Sequence, residues 1–131
     1  MRVFDATFLI DYGRGVDATA EYLREYPDER FVVPAPVLTE FLLGAVHGRG
    51  ATDLAKFESE LSWADVVGLD RGTARSAAVV ADEVGPQGPQ LTAVDAVVAA
   101  VARDRGGTVV SVDTDLTHDA VRRVVDVDEY R

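Results

Sequence analysis

Four carboxylates stand in stretches of sequence that are otherwise uncharged and mostly apolar. They are Asp5 within residues 3–10, Glu40 within 35–46, Asp95 within 91–102 and Asp113 at the end of 108–113. A buried carboxylate without a partner is costly and tends to take up a proton rather than stay ionised. A cation shared by all four would remove that cost, and Mg²⁺ and Mn²⁺ prefer such oxygen ligands. The pattern favours a metal-dependent hydrolase.

The two aspartates that follow apolar segments also have ordinary structural explanations, which the sequence leaves open. Asp5 is placed to cap a short helix that begins near Thr7. Asp113 is placed to begin a turn or to cap a helix near residues 115–122. Asp115 has charged neighbours and is a weaker candidate, either as ordinary surface charge or as a further ligand of a metal or a water.

The other two carboxylates lie within segments that have a helical pattern. Thr92 followed three residues later by Asp95 resembles a capping box, so a cap at the start of a helix is one explanation. The neighbours of Glu40 one helical turn away are apolar, so its side chain would either reach to water or meet a cation. Each carboxylate alone is ambiguous, and it is the set of four that favours one shared site.

Valine-rich segments alternate with helical patterns along the chain and predict an α/β sandwich with a mainly parallel sheet. The predicted strands are 3–5, 31–33, 64–69, 108–112 and 124–127, and the predicted helices are 17–26, 36–47, 52–61, 70–84 and 92–105. Pro36 suits a first helical turn, and Thr52, Asp70 and Thr92 suit N-caps. The break at residues 85–90 is too short for a domain linker, so residues 1–131 are predicted to form one domain.

The charge balance is strongly acidic, with a net charge of −10 and an isoelectric point near 4.5. Lys56 is the only lysine, and the other twelve basic residues are arginine. Such a surface is explained equally by simple solubility or by adaptation to high internal salt. At about 1 M salt the screening length falls to roughly 3 Å, so an acidic surface does not exclude RNA as a substrate.

The chain has no cysteine, which excludes cysteine catalysis, disulfides and cysteine-ligated zinc. It has no apolar run near the ~20 residues of a membrane helix, and no signal peptide is recognisable. We therefore expect a soluble cytoplasmic protein with no membrane partner.

Four segments together resemble the motifs of the PIN domain family, and in particular of its VapC-type ribonuclease toxins. In order, they are residues 5–10 (DATFLI), 39–44 (TEFLLG), 95–100 (DAVVAA) and 111–116 (SVDTDL). Four positions depart from the usual pattern: Ala6 replaces a common Thr, Thr7 a Ser or Asn, Val112 a basic residue and Leu116 a Phe. The absence of the basic residue at position 112 affects substrate binding more than the chemical step.

The resemblance implies a PIN-like α/β/α sandwich and a Mg²⁺- or Mn²⁺-dependent endoribonuclease. Such a toxin would cleave structured RNA such as tRNA or rRNA, be silenced by a VapB-like antitoxin, and form a homodimer. The implied metal ligands, direct or through water, are Asp5, Glu40, Asp95 and Asp113, with Thr7, Ser111 and Asp115 in support. Glu40 or Asp95 is expected to orient the attacking water.

Two other classes of function stay open from the sequence. One is a non-catalytic PIN-like module that binds RNA or protein, and the other is a metal-dependent phosphatase or DNase on a related fold. Four apolar side chains are interpreted as core, with the lining of an antitoxin groove as the alternative: Leu54, Phe57, Leu61 and Trp63.

Overall fold

Five parallel strands form the centre of the computed structural model, which describes residues 1–131. The strands are β1 (Arg2–Phe4), β2 (Phe31–Pro34), β3 (Asp65–Val67), β4 (Thr108–Val110) and β5 (Asp126–Asp128). Their order across the sheet is β3-β2-β1-β4-β5, and every adjacent pair is parallel. The predicted parallel sheet is therefore confirmed, although the strands predicted at 64–69 and 108–112 are shorter.

Seven helices connect the strands. They are α1 (Ala6–Gly13), α2 (Asp17–Glu25), α3 (Ala35–Val46), α4 (Leu54–Ser59), α5 (Arg71–Val84), α6 (Ala93–Asp104) and α7 (Asp119–Arg122). Five match the predicted helices, whereas α1 and α7 lie where the sequence offered a helix only as an alternative. The predicted caps Asp70 and Thr92 are confirmed. Thr52 was the wrong cap, because Asp53 accepts the Lys56 N–H at 3.1 Å.

The helices form two groups around the sheet. Helix α1 contacts both α2 and α3, and α3 contacts α4, while α5 packs along α6. Helix α6 is buried over residues 96–102, all of them Ala or Val, and it contacts β1, β2 and β4. Its small side chains let it lie close to the central strands, which are themselves almost fully buried. The predicted α/β/α sandwich is thus confirmed.

The order of the strands creates a crevice at one point of the sheet. From β1 the chain moves outward through β2 to β3, then crosses to the other side of β1 to form β4 and β5. The switch in direction falls between β1 and β4, and open parallel sheets bind ligands at the carboxyl ends of the strands at such a point. Asp5 directly follows β1 and Asp113 follows β4 by three residues, so both lie at this switch point.

None of the seven helices has the length and apolarity that crossing a membrane requires.

Candidate metal centre

Asp5 is held by three hydrogen bonds at the end of β1, with only 2% of its surface exposed. Its Oδ1 accepts the Thr7 hydroxyl at 2.7 Å and the Phe8 N–H at 3.2 Å. Its Oδ2 accepts the hydroxyl of Ser111, which follows β4. Asp5 is therefore the N-cap of α1, as its structural explanation predicted, and it lies at the switch point of the sheet as well.

The segment after β4 folds back on itself around Asp113. The Asp113 N–H donates to the Ser111 hydroxyl at 2.9 Å, and its Oδ2 accepts the N–H groups of Asp115 and Leu116 at 3.0 and 3.1 Å. Asp113 therefore begins a turn, which is one of the two structural roles that the sequence predicts for it. Because the turn closes on the Asp113 carboxylate, it brings Asp115 to the same side of the segment.

Three carboxylates converge beside this turn. Asp95, Asp113 and Asp115 each offer an oxygen, and these oxygens all lie within 4.8 Å of one another. Asp95 reaches the group from the first turn of α6, where its N–H donates to the capping Thr92 hydroxyl at 3.2 Å. Three carboxylate oxygens at this separation form a set that a hard divalent cation can bridge.

The electrostatics extend this group to Asp5 and Glu40. Burial raises the pKa of Asp95 to about 6, and the charges of Asp113, Asp5 and Glu40 act in the same direction. Burial also raises the pKa of Asp5, with a contribution from Asp113, and that of Glu40, with a contribution from Asp5. The four carboxylates singled out in the sequence therefore repel one another across a common space.

No basic side chain neutralises this acidic group. None of the five carboxylates takes part in any of the salt bridges of the structure. The carboxylates of an oxygen-rich cation site repel one another when nothing positive lies between them, and their pKa values are then raised. Asp5, Glu40 and Asp95 show this behaviour. The donor set therefore fits Mg²⁺ or Mn²⁺ and fits poorly to softer metals that take sulfur or imidazole ligands.

Two of these residues have positions in the fold that their sequence context does not predict. Asp115 had seemed ordinary surface charge, yet it belongs to the closest carboxylate group. Glu40 lies at the surface of α3, where its carboxylate is only partly shielded from solvent. Its side chain makes no hydrogen bond and stands outside that group, as does Asp5. The spacing Asp113-x-Asp115 in a turn was the signal for the extra carboxylate.

A cavity of about 690 Å³ runs between α1, α3 and α4, starting next to Glu40 at Phe41 and Gly44. One of its large apolar lining side chains, Ile10, is exposed. Leu43 and Val46 on α3 and Leu54 on α4 are also exposed, but they do not line the cavity. Three basic residues without an ion pair line it, namely Arg14, Arg49 and Lys56. Nothing in the sequence pattern had indicated that these three meet.

The interpretation of the four apolar residues as core holds for some of them. Leu61 is buried and Trp63 packs against the core, making edge contacts with Phe4 and Phe8. Leu54 is 41% exposed. Phe57 packs partly against the core and also lines the cavity.

Comparisons with known proteins agree with this architecture. The PIN domain profile matches residues 2–122. The fold is similar to a toxin–antitoxin complex from Klebsiella pneumoniae, with a TM-score of 0.79 and 17% identity over 100% of this chain and 98% of that chain. It is similar to FitAcB from Neisseria gonorrhoeae, with a TM-score of 0.78 and 18% identity over 99% and 98% of the two chains. DNA-bound VapBC from Salmonella typhimurium gives a TM-score of 0.78 and 19% identity, also over 99% and 98%.

No curated protein matches the chain by sequence. Because their identities to this chain are below 20%, the solved structures establish the shared fold alone. The residues that the PIN domain profile matches include Asp5, Glu40, Asp95 and Asp113, and also Asp115. The chain belongs to the PIN domain family.

Proposed function

We propose that this protein is a divalent-metal-dependent endoribonuclease and the toxin of a type II toxin–antitoxin pair. The observation that carries the proposal is the convergence of Asp95, Asp113 and Asp115, whose oxygens lie within 4.8 Å of one another. Asp5 and Glu40 flank them, and no basic group compensates the charge. Structured RNA such as tRNA or rRNA is the proposed substrate class.

In the proposed mechanism, a bound Mg²⁺ or Mn²⁺ would supply an activated water and stabilise the charge that develops on the phosphate. Asp95, Asp113 and Asp115 would hold the cation, and Asp5 would complete the site from the floor of the crevice. Thr7 and Ser111 fix both oxygens of Asp5, so its orientation is set before the substrate binds.

Of the two candidates for orienting the attacking water, Glu40 is the better placed. Asp95 belongs to the close group of carboxylates, which suits a ligand. Glu40 lies outside that group and makes no hydrogen bond, so its carboxylate is free to accept a proton from water. Its raised pKa, caused by burial and by Asp5, brings it closer to the range in which a general base works at neutral pH.

The test is RNA cleavage with Mg²⁺, with Mn²⁺ and with chelator, at low and high KCl. Wild type should cleave only with metal, and Asp5→Asn should lose cleavage. Asp82→Asn changes an exposed carboxylate on α5 without an ion pair and should retain it. Cleavage that survives both the chelator and Asp5→Asn would remove the metal centre from the mechanism.

A substrate panel separates the rival functions. Cleavage of DNA, or release of phosphate from monoesters, in preference to RNA cleavage would favour a DNase or a phosphatase. Binding of RNA or protein without any hydrolysis would favour a non-catalytic module.

We further propose that a VapB-like antitoxin occupies the cavity between α1, α3 and α4. One of the solved structures with this fold is a toxin–antitoxin complex, and another is VapBC bound to DNA. The cavity is lined by the exposed apolar side chain of Ile10 and begins next to Glu40. A segment bound there would lie beside the carboxylates and block access to them.

We also propose that the protein acts in the cytoplasm as a homodimer. Sedimentation of the purified protein would check this oligomeric state.

Co-expression with the small protein encoded next to the toxin tests the antitoxin site. Ile10→Glu should abolish co-purification, because Ile10 lines the cavity and the substitution places a charge there. Val79→Glu is the matched control, since Val79 on α5 and Ile10 are both 43% exposed. Equal loss of co-purification in both variants would contradict this location.

A further inference from the structure

The segment that follows β5 crosses the carboxyl edge of the sheet and binds helix α1. The Asp128 carbonyl accepts the Ser111 N–H at 3.1 Å. The Tyr130 hydroxyl donates to Asp11 Oδ2 at 2.7 Å, and the Arg131 guanidinium donates to the same oxygen at 2.9 Å. We call the contacts of Tyr130 and Arg131 with Asp11 the Tyr130 clasp.

The clasp reaches the candidate metal centre through α1. Tyr130 is 7% exposed, and its ring packs edge-on against Phe8 with 4.8 Å between ring centroids. Burial raises the pKa of Tyr130 to about 12, as does its bond to Asp11, while the nearby Thr7 hydroxyl acts in the opposite direction. Tyr130 therefore touches the same turn of α1 whose Thr7 and Phe8 hold the Asp5 carboxylate.

The chemistry of the clasp makes it a firm contact at neutral pH. The Tyr130 phenol stays protonated and can donate, and its hydrogen bond lowers the pKa of Asp11, which therefore stays ionised. A hydrogen bond to an ionised acceptor is about twice as strong as a neutral one. Asp11 lies one helical turn after Thr7 on the same face of α1, so the clasp restricts the rotation of α1 about its own axis and with it the direction of Thr7.

We propose that Tyr130 is a positioning residue of the metal centre, acting through Thr7 and α1 on the orientation of Asp5. This inference rests on the proposed metal-dependent function. Such a role explains why Tyr130 is buried against α1, the helix that begins at Asp5.

The test is titration with Mn²⁺ alone, in the absence of RNA, using Tyr130→Phe. We expect roughly three- to ten-fold weaker Mn²⁺ binding, less than the 10- to 100-fold typical of residues bonded directly to a metal ligand. Tyr22→Phe is the matched control. Tyr22 is 5% exposed and also donates to a carboxylate, Asp128 Oδ2, at 2.8 Å.

The two variants lose the same chemical group from equally buried positions, so their thermal stabilities should fall by similar amounts. Only Tyr130→Phe should weaken Mn²⁺ binding, and that difference separates positioning from general stabilisation. In a Thr7→Val background, Tyr130→Phe should have little further effect, since the pathway to Asp5 is already broken.

Three outcomes would overturn the inference. They are equal Mn²⁺ affinity of wild type and Tyr130→Phe, equal weakening by Tyr22→Phe, and fully additive effects of Thr7→Val and Tyr130→Phe. If Tyr130→Phe does not fold, Asp11→Asn loosens the same clasp, and unchanged Mn²⁺ affinity in that variant overturns it as well. A wild type that binds no Mn²⁺ refutes the proposed function itself, which is a distinct result.

Discussion

Ser111 donates its hydroxyl to Asp5 across the switch point of the sheet, although 106 residues separate them in sequence. The same hydroxyl accepts the N–H of Asp113 at 2.9 Å, so one side chain ties the ends of β1 and β4 together. The bond to Ser111 lowers the pKa of Asp5 against the larger effect of burial. Ser111 thus favours the ionised form of a buried carboxylate.

Replacing Ser111 by alanine should weaken metal binding and cleavage together. Without the hydroxyl, the pKa of Asp5 rises further and its orientation loosens, and we expect roughly a 10- to 100-fold loss of Mn²⁺ affinity. Ser59→Ala removes an exposed hydroxyl on α4 that bonds only to the Lys56 carbonyl, and it should bind Mn²⁺ like wild type. Unchanged affinity in Ser111→Ala would show that Asp5 needs no such support.

Asp115→Asn tests whether the third member of the close group is a ligand. Loss of one of three neighbouring carboxylates should weaken Mn²⁺ binding by at least about 10-fold, the lower end of the range for disturbed metal sites. Asp119→Asn is the control, since Asp119 is exposed at the start of α7 and lies outside the group. Equal affinities in the two variants would return Asp115 to the role of surface charge.

The sequence allowed Asp5 and Asp113 to be placed together, because each follows a valine-rich strand and parallel strands share one carboxyl edge. The sequence alone could not show whether Asp115 is a site residue or ordinary surface charge. The charges of Asp119 and Arg122 made that region look like ordinary surface, and only the turn around the Asp113 carboxylate brings Asp115 inward.

The limits of prediction are clearest at helix starts and in the cavity. Thr52 and Asp53 are both good caps by type, and the choice depends on which side chain meets the Lys56 N–H. Arg14 directly follows α1, Arg49 lies between α3 and α4, and Lys56 lies on α4, so no periodicity links them. Long-range packing alone decides that they line one cavity.

Asp95→Asn should stabilise the metal-free protein at pH 7 while it abolishes metal binding. The pKa of Asp95 is raised to about 6 from 3.8, so its contribution to stability is present below pH 3.8 and is lost as the pH rises through 6. With allowance for solvent screening, the gain at pH 7 is roughly 1–2 kcal/mol. Thermal unfolding between pH 4 and 8 measures it, with Asp82→Asn as control.

The raised pKa values of the site carboxylates also predict how metal binding depends on pH. Cations compete with protons for Asp5 and Asp95, whose pKa values are both raised by burial and by the charge of Asp113. Mn²⁺ affinity should therefore increase as the pH rises through about 6, the value for Asp95. An affinity that is flat from pH 5 to 7.5 would indicate that these carboxylates do not bind the ion.

Salt should stabilise the fold. With a net charge of −10, the protein repels itself, and screening by KCl should increase the free energy of unfolding. Chemical denaturation between about 0.1 and 1 M KCl, where the Debye length falls from about 10 to 3 Å, measures the effect. A free energy of unfolding that does not rise with KCl would remove the case for salt adaptation.

The final prediction concerns how so acidic a protein holds RNA. Arg14, Arg49 and Lys56 carry no ion pair and line the cavity that starts beside Glu40, so they can contact phosphates when no antitoxin is bound. The measurement uses the Asp5→Asn background, so that the RNA is not cut. Changing all three residues to glutamine should reduce the slope of log affinity against log salt by about 2 to 3, since each phosphate contact contributes about 0.7 on a single strand and about 0.9 on a duplex.

A second triple variant is the control for that measurement. Arg71, Arg75 and Arg105 also carry no ion pair, but they lie on α5 and at the end of α6, away from the cavity. Their replacement by glutamine changes the net charge by the same amount. If both triple variants reduce the salt slope equally, RNA binding responds only to overall charge, and the cavity has no special part in it.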